Sequence, residues 1–213
     1  VDLQVSPGRI IGVVGESGCG KTMLVRAIMG LIKPPGQVRE GSILWQGTDL
    51  LRLPAKELQK IRGKEISMIF QEPMSSLNPV VPVGKQVAEV LSLHAKLSPR
   101  QTRSRVVELF QQVGIAQPAS RLGAYPHELS GGLRQRVMIA MAMACSPQLL
   151  LADEPTTALD VTIEAQILRL MERLRRDFGA SILLISHNLG VVAQICDWVY
   201  VMYAGRIVEQ APV

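Results

Sequence analysis

Short, mainly apolar runs are spaced along the chain and predict the strands of a buried sheet. A run that is apolar at successive positions, without alternation, is typical of a strand that is covered on both faces. A turn at Ala204 and Gly205 predicts a return strand over residues 206–209 after the last run. The runs occupy residues 10–14, 66–70, 149–153, 181–186 and 198–203.

Helical patterns lie between these runs. Residues 161–176 carry apolar side chains on one stripe and charged side chains mostly opposite, and a second periodic segment continues from Thr22 to about Leu31. Strands that alternate with helices predict an α/β fold with a mostly parallel sheet flanked by helices. The stretch 73–145 has no buried-strand run, so we expect a single domain in which a helical subdomain is inserted. The α/β core would then comprise residues 1–72 and 146–213.

The composition narrows the class of protein. With 213 residues, 47% of them hydrophobic, the chain is expected to form one ordered globular unit. The longest uncharged apolar stretch, residues 137–152, is broken by Pro147 and is shorter than the ~20 residues that a membrane span needs. A net charge of +5 is compatible with phosphate ligands but lacks the clustered basic stripe of a nucleic-acid binder. Three scattered cysteines favour a reducing compartment.

The segment GESGCGKT fits the pattern G-x-x-x-x-G-K-[ST] and lies between a predicted buried strand and a helix. Glycines let backbone N–H groups curl around phosphate oxygens, and the helix start adds the positive end of its dipole. Lys21 brings a positive charge to the β- and γ-phosphates, and the Thr22 hydroxyl is suited to Mg²⁺. The sequence therefore predicts a phosphate-binding loop, which consists of Gly15, Glu16, Ser17, Gly18, Cys19, Gly20, Lys21 and Thr22.

Two adjacent carboxylates, Asp153 and Glu154, follow the apolar residues of the run LLLAD. The carboxyl ends of parallel strands border the crevice in which α/β proteins bind ligands. We therefore expect Asp153 to hold Mg²⁺, directly or through water, and Glu154 to polarise the attacking water. A GTPase is disfavoured, because neither Asn78 nor Asn188 begins an N-K-x-D motif and the chain has no other asparagine.

The segment LSGGLRQR, residues 129–136, opens an apolar helix and forms a second candidate anion site. With this segment the sequence resembles the ATP-binding-cassette (ABC) ATPases over nearly its whole length. The features that carry the resemblance are, in chain order, GESGCGKT, Gln71 after ISMIF, LSGGLRQR, LLLADEP, ALD at 158–160, and Ser186-His187 after SILLIS.

The resemblance implies an ABC ATPase fold and a role for each matching residue. Glu154 would act as the catalytic base, and His187 would hold the γ-phosphate and the attacking water. Gln71 would contact the metal and the water and couple the site to a partner. Asp153 and Thr22 would complete the Mg²⁺ site. The implied cofactors are ATP and Mg²⁺.

The resemblance also implies that two cassettes enclose two ATP molecules head to tail. The phosphate loop of one cassette then faces the segment LSGGLRQR of the other. In this arrangement Ser130, Gly131 and Gly132 would close the opposite subunit's site, and Asp160 would cross the dimer seam.

A narrower resemblance, to the dipeptide, oligopeptide and nickel importer branch, rests on QEPMSSLNP, YPHELSGG, DEPTTALDVT and NLGVVA. It implies an ATP-hydrolysing subunit that powers uptake of peptides, or of nickel, from the cytoplasmic face of the cell membrane. Its partners would be two transmembrane permease subunits, a second cassette and an extracytoplasmic solute-binding protein. The permease would meet the chain near residues 71–82, and no nucleic acid is expected.

Two other functions stay open at this point. A non-transport ABC ATPase would act in DNA repair or on ribosomes, but the chain shows neither the sustained heptads of a coiled-coil insertion nor a second cassette. A module that binds ATP without turnover would be expected to lack Glu154 or His187, and both are present.

The ends of the chain give one further expectation. Related cassettes stack adenine on an aromatic residue well before the phosphate loop, whereas the first aromatic residue here is Trp45. The chain begins at Val1 and stops at Val213, so the upstream segment and the C-terminal extension of this branch are expected to be missing from it. Stacking on a base is worth ~1–3 kcal/mol. We therefore expect this chain alone to bind ATP less tightly than one that includes the upstream segment.

Overall fold

The structure is a computed structural model that describes residues 1–157 and 159–213. Ala158, which begins the segment ALD, lies outside the described residues. The strands are β1 (Ile10–Val14), β2 (Leu44–Trp45), β3 (Thr48–Asp49), β4 (Ile66–Ile69), β5 (Leu149–Asp153), β6 (Ser181–Ser186), β7 (Trp198–Tyr203) and β8 (Arg206–Pro212). The helices are α1 (Lys21–Ile28), α2 (Ala55–Ile61), α3 (Pro73–Ser76), α4 (Val83–His94), α5 (Pro99–Gln112), α6 (Pro118–Arg121), α7 (Gly131–Met143), α8 (Val161–Phe178) and α9 (Leu189–Ile195).

The central sheet has six strands in the order β4-β5-β6-β1-β7-β8. The pairings from β4 to β7 are parallel, and β8 pairs antiparallel with β7 after the turn at Ala204 and Gly205. Both turn residues have positive φ, 44° and 77°, which suits a two-residue hairpin turn. The mostly parallel α/β sheet that the sequence predicts is confirmed, and β8 runs three residues further than expected, to Pro212.

Both faces of the sheet are covered, as the unbroken apolar runs predict. Successive residues of β1 point to opposite faces, so Ile10 and Val14 join one hydrophobic cluster while Ile11 and Val13 join the other. The larger cluster includes buried residues of α4, α5, α7, α8 and α9. The smaller one includes buried residues of α1. The carboxyl ends of β1, β4, β5 and β6 therefore meet at one edge of a sheet that is fixed from both sides.

Residues 73–145 form helices joined by turns and loops, from α3 to α7. Their core is continuous with that of the sheet, because Phe110 and Met143 belong to the same cluster as Leu150. The boundaries of the subdomain at residues 73 and 145 stay a prediction. Among the described helices, none is long and apolar enough to cross a lipid bilayer.

Two helix ends differ from the sequence prediction, and glycines account for both. Helix α1 ends at Ile28 rather than near Leu31, because Gly30 adopts φ +57° and the Leu31 N–H turns back to the Arg26 carbonyl. Helix α8 continues two residues beyond Arg176 and closes at Gly179, which has φ +66°.

Candidate functional site

The loop between β1 and α1 folds tightly enough to require glycine at its first position. A Cβ on Gly15 would overlap the carbonyl oxygen of Met202 and would lie 2.8 Å from the Cys19 Sγ. Gly20, with φ +110°, precedes the first residue of α1. The N–H of Gly205, in the β7–β8 turn, donates to the Cys19 carbonyl at 2.9 Å. The loop is therefore shaped by its own glycines and held from outside by β7 and its turn.

Lys21 places a buried positive charge inside this loop. Its Nζ donates to the carbonyl oxygens of Gly15 at 2.7 Å and Glu16 at 2.8 Å. The side chain is 5% exposed, and the Cys19 Sγ lies 3.8 Å from the Nζ. Together with the N-terminus of α1, the ammonium group makes the loop attractive to an anion.

A cleft of about 190 Å³ lies against the loop. Three parts of the fold contribute to it, because Gln71 follows β4 and Glu154 follows β5. Of the predicted loop residues, Gly15 and Glu16 face Lys21 with their carbonyl groups and Cys19 is buried. The residues that line the cleft are Ser17, Gly18, Gly20, Lys21, Thr22, Met23, Gln71 and Glu154.

Asp153 and Thr22 meet at the edge of the cleft. The Thr22 hydroxyl donates to Asp153 Oδ1 at 3.1 Å, and Asp153 is only 2% exposed. Burial raises the pKa of Asp153, and the negative charge of Glu154 acts in the same direction, while the Thr22 hydrogen bond opposes the shift. A buried carboxylate of this kind gains from a nearby cation, and its oxygens are the ligands that Mg²⁺ prefers.

Three side chains contact a single carboxylate oxygen of Glu154. Its Oε2 accepts hydrogen bonds from Gln71 Nε2 at 3.1 Å and Thr157 Oγ1 at 2.9 Å. The Nδ1 of His187 lies 3.2 Å from the same oxygen. The Glu154 side chain is 15% exposed and that of His187 is 59% exposed. The predicted catalytic residues Glu154, Gln71 and His187 are therefore brought together, although their roles stay predictions.

The backbone of Glu154 is strained. Its φ is +46°, in the left-handed region, where a residue other than glycine costs about 1–3 kcal/mol. Its N–H donates to the Ile185 carbonyl at 3.0 Å, and its carbonyl accepts from the Thr157 N–H at 3.2 Å. Neighbouring main-chain groups therefore hold the backbone conformation that sets the direction of the Glu154 carboxylate.

The predicted second anion site lies apart from this cleft. Ser130 is exposed and caps α7, with its hydroxyl accepting from the Leu133 N–H at 3.4 Å. Asp160 caps α8 by accepting from the Ile163 N–H at 3.0 Å. A Cβ on Gly132 would lie 3.0 Å from Ile163 Cγ2, so the two helix starts pack side by side. The structure thus groups Ser130, Gly131 and Gly132 near the start of α8 and outside the lining of the phosphate cleft.

Sequence reasoning missed two residues next to Glu154. Thr157 stands in the segment DEPTTALD, yet no local pattern distinguishes it from Thr156. Gln135, on α7, is 1% exposed and its Nε2 donates to the Pro155 carbonyl at 2.6 Å. Its position beside the long apolar stretch could have revealed it, because a buried amide needs hydrogen-bond partners.

Known proteins resemble this chain over its whole length. A family model described as ABC transporter matches residues 1–157. The oligopeptide transport ATP-binding protein OppD of Bacillus subtilis (strain 168) is 55% identical over 214 residues, which covers 100% of this chain and 60% of that protein. The oligopeptide transport ATP-binding protein AppD of the same organism is 52% identical over 214 residues, covering 100% of this chain and 65% of that protein. The chain therefore spans less than two thirds of the length of these relatives.

A solved structure supports the same conclusion. It is described as a dimeric structure of a post-hydrolysis state of the ATP-binding cassette MJ0796 bound to ADP and Pi. It matches with a TM-score of 0.87 and 28% identity, covering 100% of this chain and 88% of that one. The predicted ABC ATPase fold is confirmed. Since the family model covers well over half of its residues, this protein belongs to the ABC transporter family.

Proposed function

We propose that the chain is the ATP-binding and ATP-hydrolysing part of an importer for peptides. The observation that carries this proposal is the convergence of Gln71, Thr157 and His187 on one carboxylate oxygen of Glu154, beside the phosphate loop. A carboxylate held in this way is suited to accept a proton from a water molecule that attacks the γ-phosphate of ATP. The names of OppD and AppD, both oligopeptide transport proteins, support peptides as the solute.

The loop and its helix would bind the phosphates. Lys21 is already inside the loop, and its ammonium group would exchange carbonyl partners for the β- and γ-phosphate oxygens. Ser17, Gly18 and Gly20 line the same cleft and offer backbone N–H groups at the start of α1. These groups would supply affinity for ATP and would hold its phosphates in position.

Mg²⁺ fits the donor set at the edge of the cleft. Among the described residues no group of three or more His, Cys, Asp or Glu gathers as a metal site. The ion would instead be held by Thr22, Asp153 and Gln71 together with phosphate oxygens, which agrees with its preference for few protein ligands. When bound, Mg²⁺ would neutralise charge on the phosphates.

Glu154 and His187 would act on the water and the γ-phosphate. Glu154 takes its direction from its strained backbone and from the Thr157 hydroxyl. His187 is more exposed than Glu154 and follows the neighbouring strand β6, so its ring is free to contact the γ-phosphate. Gln71 would couple structural changes at this site to the helical segment that follows it.

A second cassette would complete the nucleotide site. Ser130 is exposed at the start of α7 and does not line its own chain's cleft, which supports a role at another chain's ATP. Gly131 and Gly132 leave that helix start open to a phosphate group. Asp160, beside them at the start of α8, would cross the seam between the two chains. The related cassette whose structure is described as dimeric supports this arrangement.

The helical segment would dock on the permease. A groove of about 640 Å³ lies along α4 and α5, with a lining that includes Pro82, Lys85 and Arg103. Met74 on α3 and Val80 on the loop that follows it are exposed apolar residues that suit contact with a partner helix. Two permease subunits with a solute-binding protein on their outer side would place the chain on the cytoplasmic face of the membrane.

The test is the release of inorganic phosphate from Mg-ATP by the purified chain and its Glu154→Gln variant. General base catalysis contributes about 10²–10⁴-fold, so we expect a loss of that order with ATP binding retained. Glu57→Gln on α2, where the carboxylate pairs with Lys60 on the surface, is the matched control and should hydrolyse normally. Equal rates for the Glu154→Gln variant and the unchanged chain would overturn the proposal.

Transport is tested in cells. A strain that lacks the protein should lose uptake of labelled oligopeptide and should regain it with the intact gene. The gene with Lys21→Ala should not restore uptake, since the phosphates would lose their cation. Unchanged peptide uptake in the deleted strain would contradict the proposed solute.

A further inference from the structure

Gln135 joins the helix that carries the LSGG residues to the loop that carries Glu154. It lies on α7, five residues after Ser130, and it is 1% exposed. Its Nε2 donates to the carbonyl oxygen of Pro155 at 2.6 Å. Pro155 directly follows Glu154 and has no backbone N–H, so this carbonyl is its one main-chain hydrogen-bonding group.

The other main-chain bonds of this loop come from different parts of the fold. The Glu154 N–H donates to Ile185 on β6, and the Thr157 N–H donates within the loop to Glu154. Among the bonds that the described residues make to the backbone of residues 154–157, the one from Gln135 comes from the helical segment. The strained Glu154, with φ +46°, is therefore fixed on one side by the sheet and on the other by α7.

Helix α7 is packed into the core and bonded to the neighbouring helix α8. Val137 and Ile139 are buried in the larger hydrophobic cluster. Arg136 Nη2 also donates to Gln166 Oε1 on α8 at 2.8 Å. A movement of Ser130 at the helix start would therefore move Gln135 with it, because the two residues belong to one packed helix.

We infer that Gln135 is a positioning residue that sets the backbone of Glu154 and couples it to the start of α7. The inference rests on the proposed function, in which Glu154 activates water and Ser130 meets the nucleotide of a second chain. Contact at Ser130 would then be transmitted along α7 and through the short Gln135–Pro155 bond to the Glu154 carboxylate of the same chain.

The test compares Gln135→Met with Gln86→Met. Methionine keeps the length of the side chain and removes the N–H donor. Gln86 is a matched control, because it is 6% exposed on α4 and its Nε2 donates to the carbonyl oxygens of Asn78 at 2.9 Å and Val81 at 2.7 Å. Both variants lose buried hydrogen bonds, so both are expected to be less stable than the unchanged chain.

Two readouts separate positioning from stability. Loss of alignment at a reacting group costs up to about 100-fold, so we expect Gln135→Met to lower kcat by about tenfold or more with KM for ATP within about twofold. Gln86→Met should change kcat by less than about twofold. The second readout is hydrogen exchange at the amides of Glu154 and Thr157, which should quicken by about tenfold or more in Gln135→Met and not in Gln86→Met.

The outcomes are distinct from those of the proposed function. If the unchanged chain does not hydrolyse ATP, the proposed function fails, while amide exchange still decides the role of Gln135. Exchange and kcat that are the same in Gln135→Met and Gln86→Met would overturn the inference. Should Gln135→Met not fold, Gln135→Asn, whose shorter amide does not reach Pro155, is expected to give the same changes.

Discussion

At the scale of single residues, the proposed chemistry depends on how Glu154 and Asp153 are held. Glu154 Oε2 accepts hydrogen bonds from Gln71 and Thr157, whereas Asp153 is buried with the Thr22 hydroxyl as its hydrogen-bond donor. The two carboxylates are adjacent in the chain and sit in different environments. This difference suits one for orienting water and the other for a cation.

Thr157→Val should slow ATP hydrolysis without weakening ATP binding. The change removes a 2.9 Å hydrogen bond to Glu154 and keeps the shape of the side chain. A hydrogen bond to a charged group is worth about 1.5–3 kcal/mol, so kcat is expected to fall by about 10- to 100-fold. Steady-state phosphate release measures this, with Thr156→Val as the neighbouring control. A kcat equal to that of the control would show that Thr157 does not orient Glu154.

Asp153→Asn should stabilise the nucleotide-free chain at neutral pH. Burial raises the folded-state pKa of Asp153 above its ordinary value of 3.8, so the ionised form opposes folding above the raised pKa. The gain should shrink as the pH falls from the raised pKa towards 3.8, because the aspartic acid is then neutral in both states. Thermal unfolding between about pH 3.5 and 8 measures it, and a variant less stable than the unchanged chain at pH 7 would contradict the argument.

The sequence predicted most of these residues because their types are set by the chemistry. Asp153 and Glu154 occur at the end of one apolar run, and Lys21 and Thr22 close the glycine-rich segment that follows another, so both pairs lie where a parallel sheet gathers ligand-binding groups. The shared contact at one oxygen of Glu154 could not be predicted. It depends on the side-chain directions at the ends of β4 and β6, which periodicity does not specify.

At the scale of elements, the predicted phosphate-binding loop packs against the β7–β8 hairpin. Met202 on β7 closes over Gly15, and the Gly205 N–H bonds the loop at Cys19. The hairpin is distant in sequence and nevertheless sets the shape of the loop. The last two strands therefore help to set the shape of the loop that follows the first strand.

Gly15→Ala should weaken ATP binding by tenfold or more and lower the melting temperature. The added methyl group has no room beside Met202, so the loop or the strand must move. Gly47→Ala is the control, since Gly47 also has positive φ, +80°, but a Cβ there would meet open space among the described residues. The Gly47→Ala variant should lose only the stability that a left-handed backbone costs a residue with a Cβ, about 1–2 kcal/mol. Calorimetric titration with ATP gives the affinities, and equal affinities for the two variants would refute the argument.

Strand prediction was most exact where burial was on both faces, and it missed the shortest strands. The run at residues 181–186 is buried throughout, and its bounds agree with β6. The hairpin of β2 and β3 was missed, because its strands have two residues each and offer no period. Its one local signal is the pair Gln46 and Gly47, which have φ +49° and +80°.

At the scale of the whole molecule, the two halves of the proposed nucleotide site lie apart and do not share a cleft within this chain. The phosphate loop and Glu154 share one cleft, while Ser130 and Asp160 lie together at the starts of α7 and α8. Two chains arranged head to tail would bring the unlike halves together twice. The central claim is that ATP is bound between such halves and hydrolysed there.

The most direct test is the molar mass of the Glu154→Gln chain in solution, measured by light scattering with and without Mg-ATP. This variant should bind ATP and hydrolyse it slowly, so the closed pair accumulates. The account predicts a monomer without nucleotide and a mass twice as large with it. Ser130→Glu, added to the same chain, should keep ATP binding and abolish the pairing. A Glu154→Gln chain that binds Mg-ATP at saturation and stays monomeric would contradict the account.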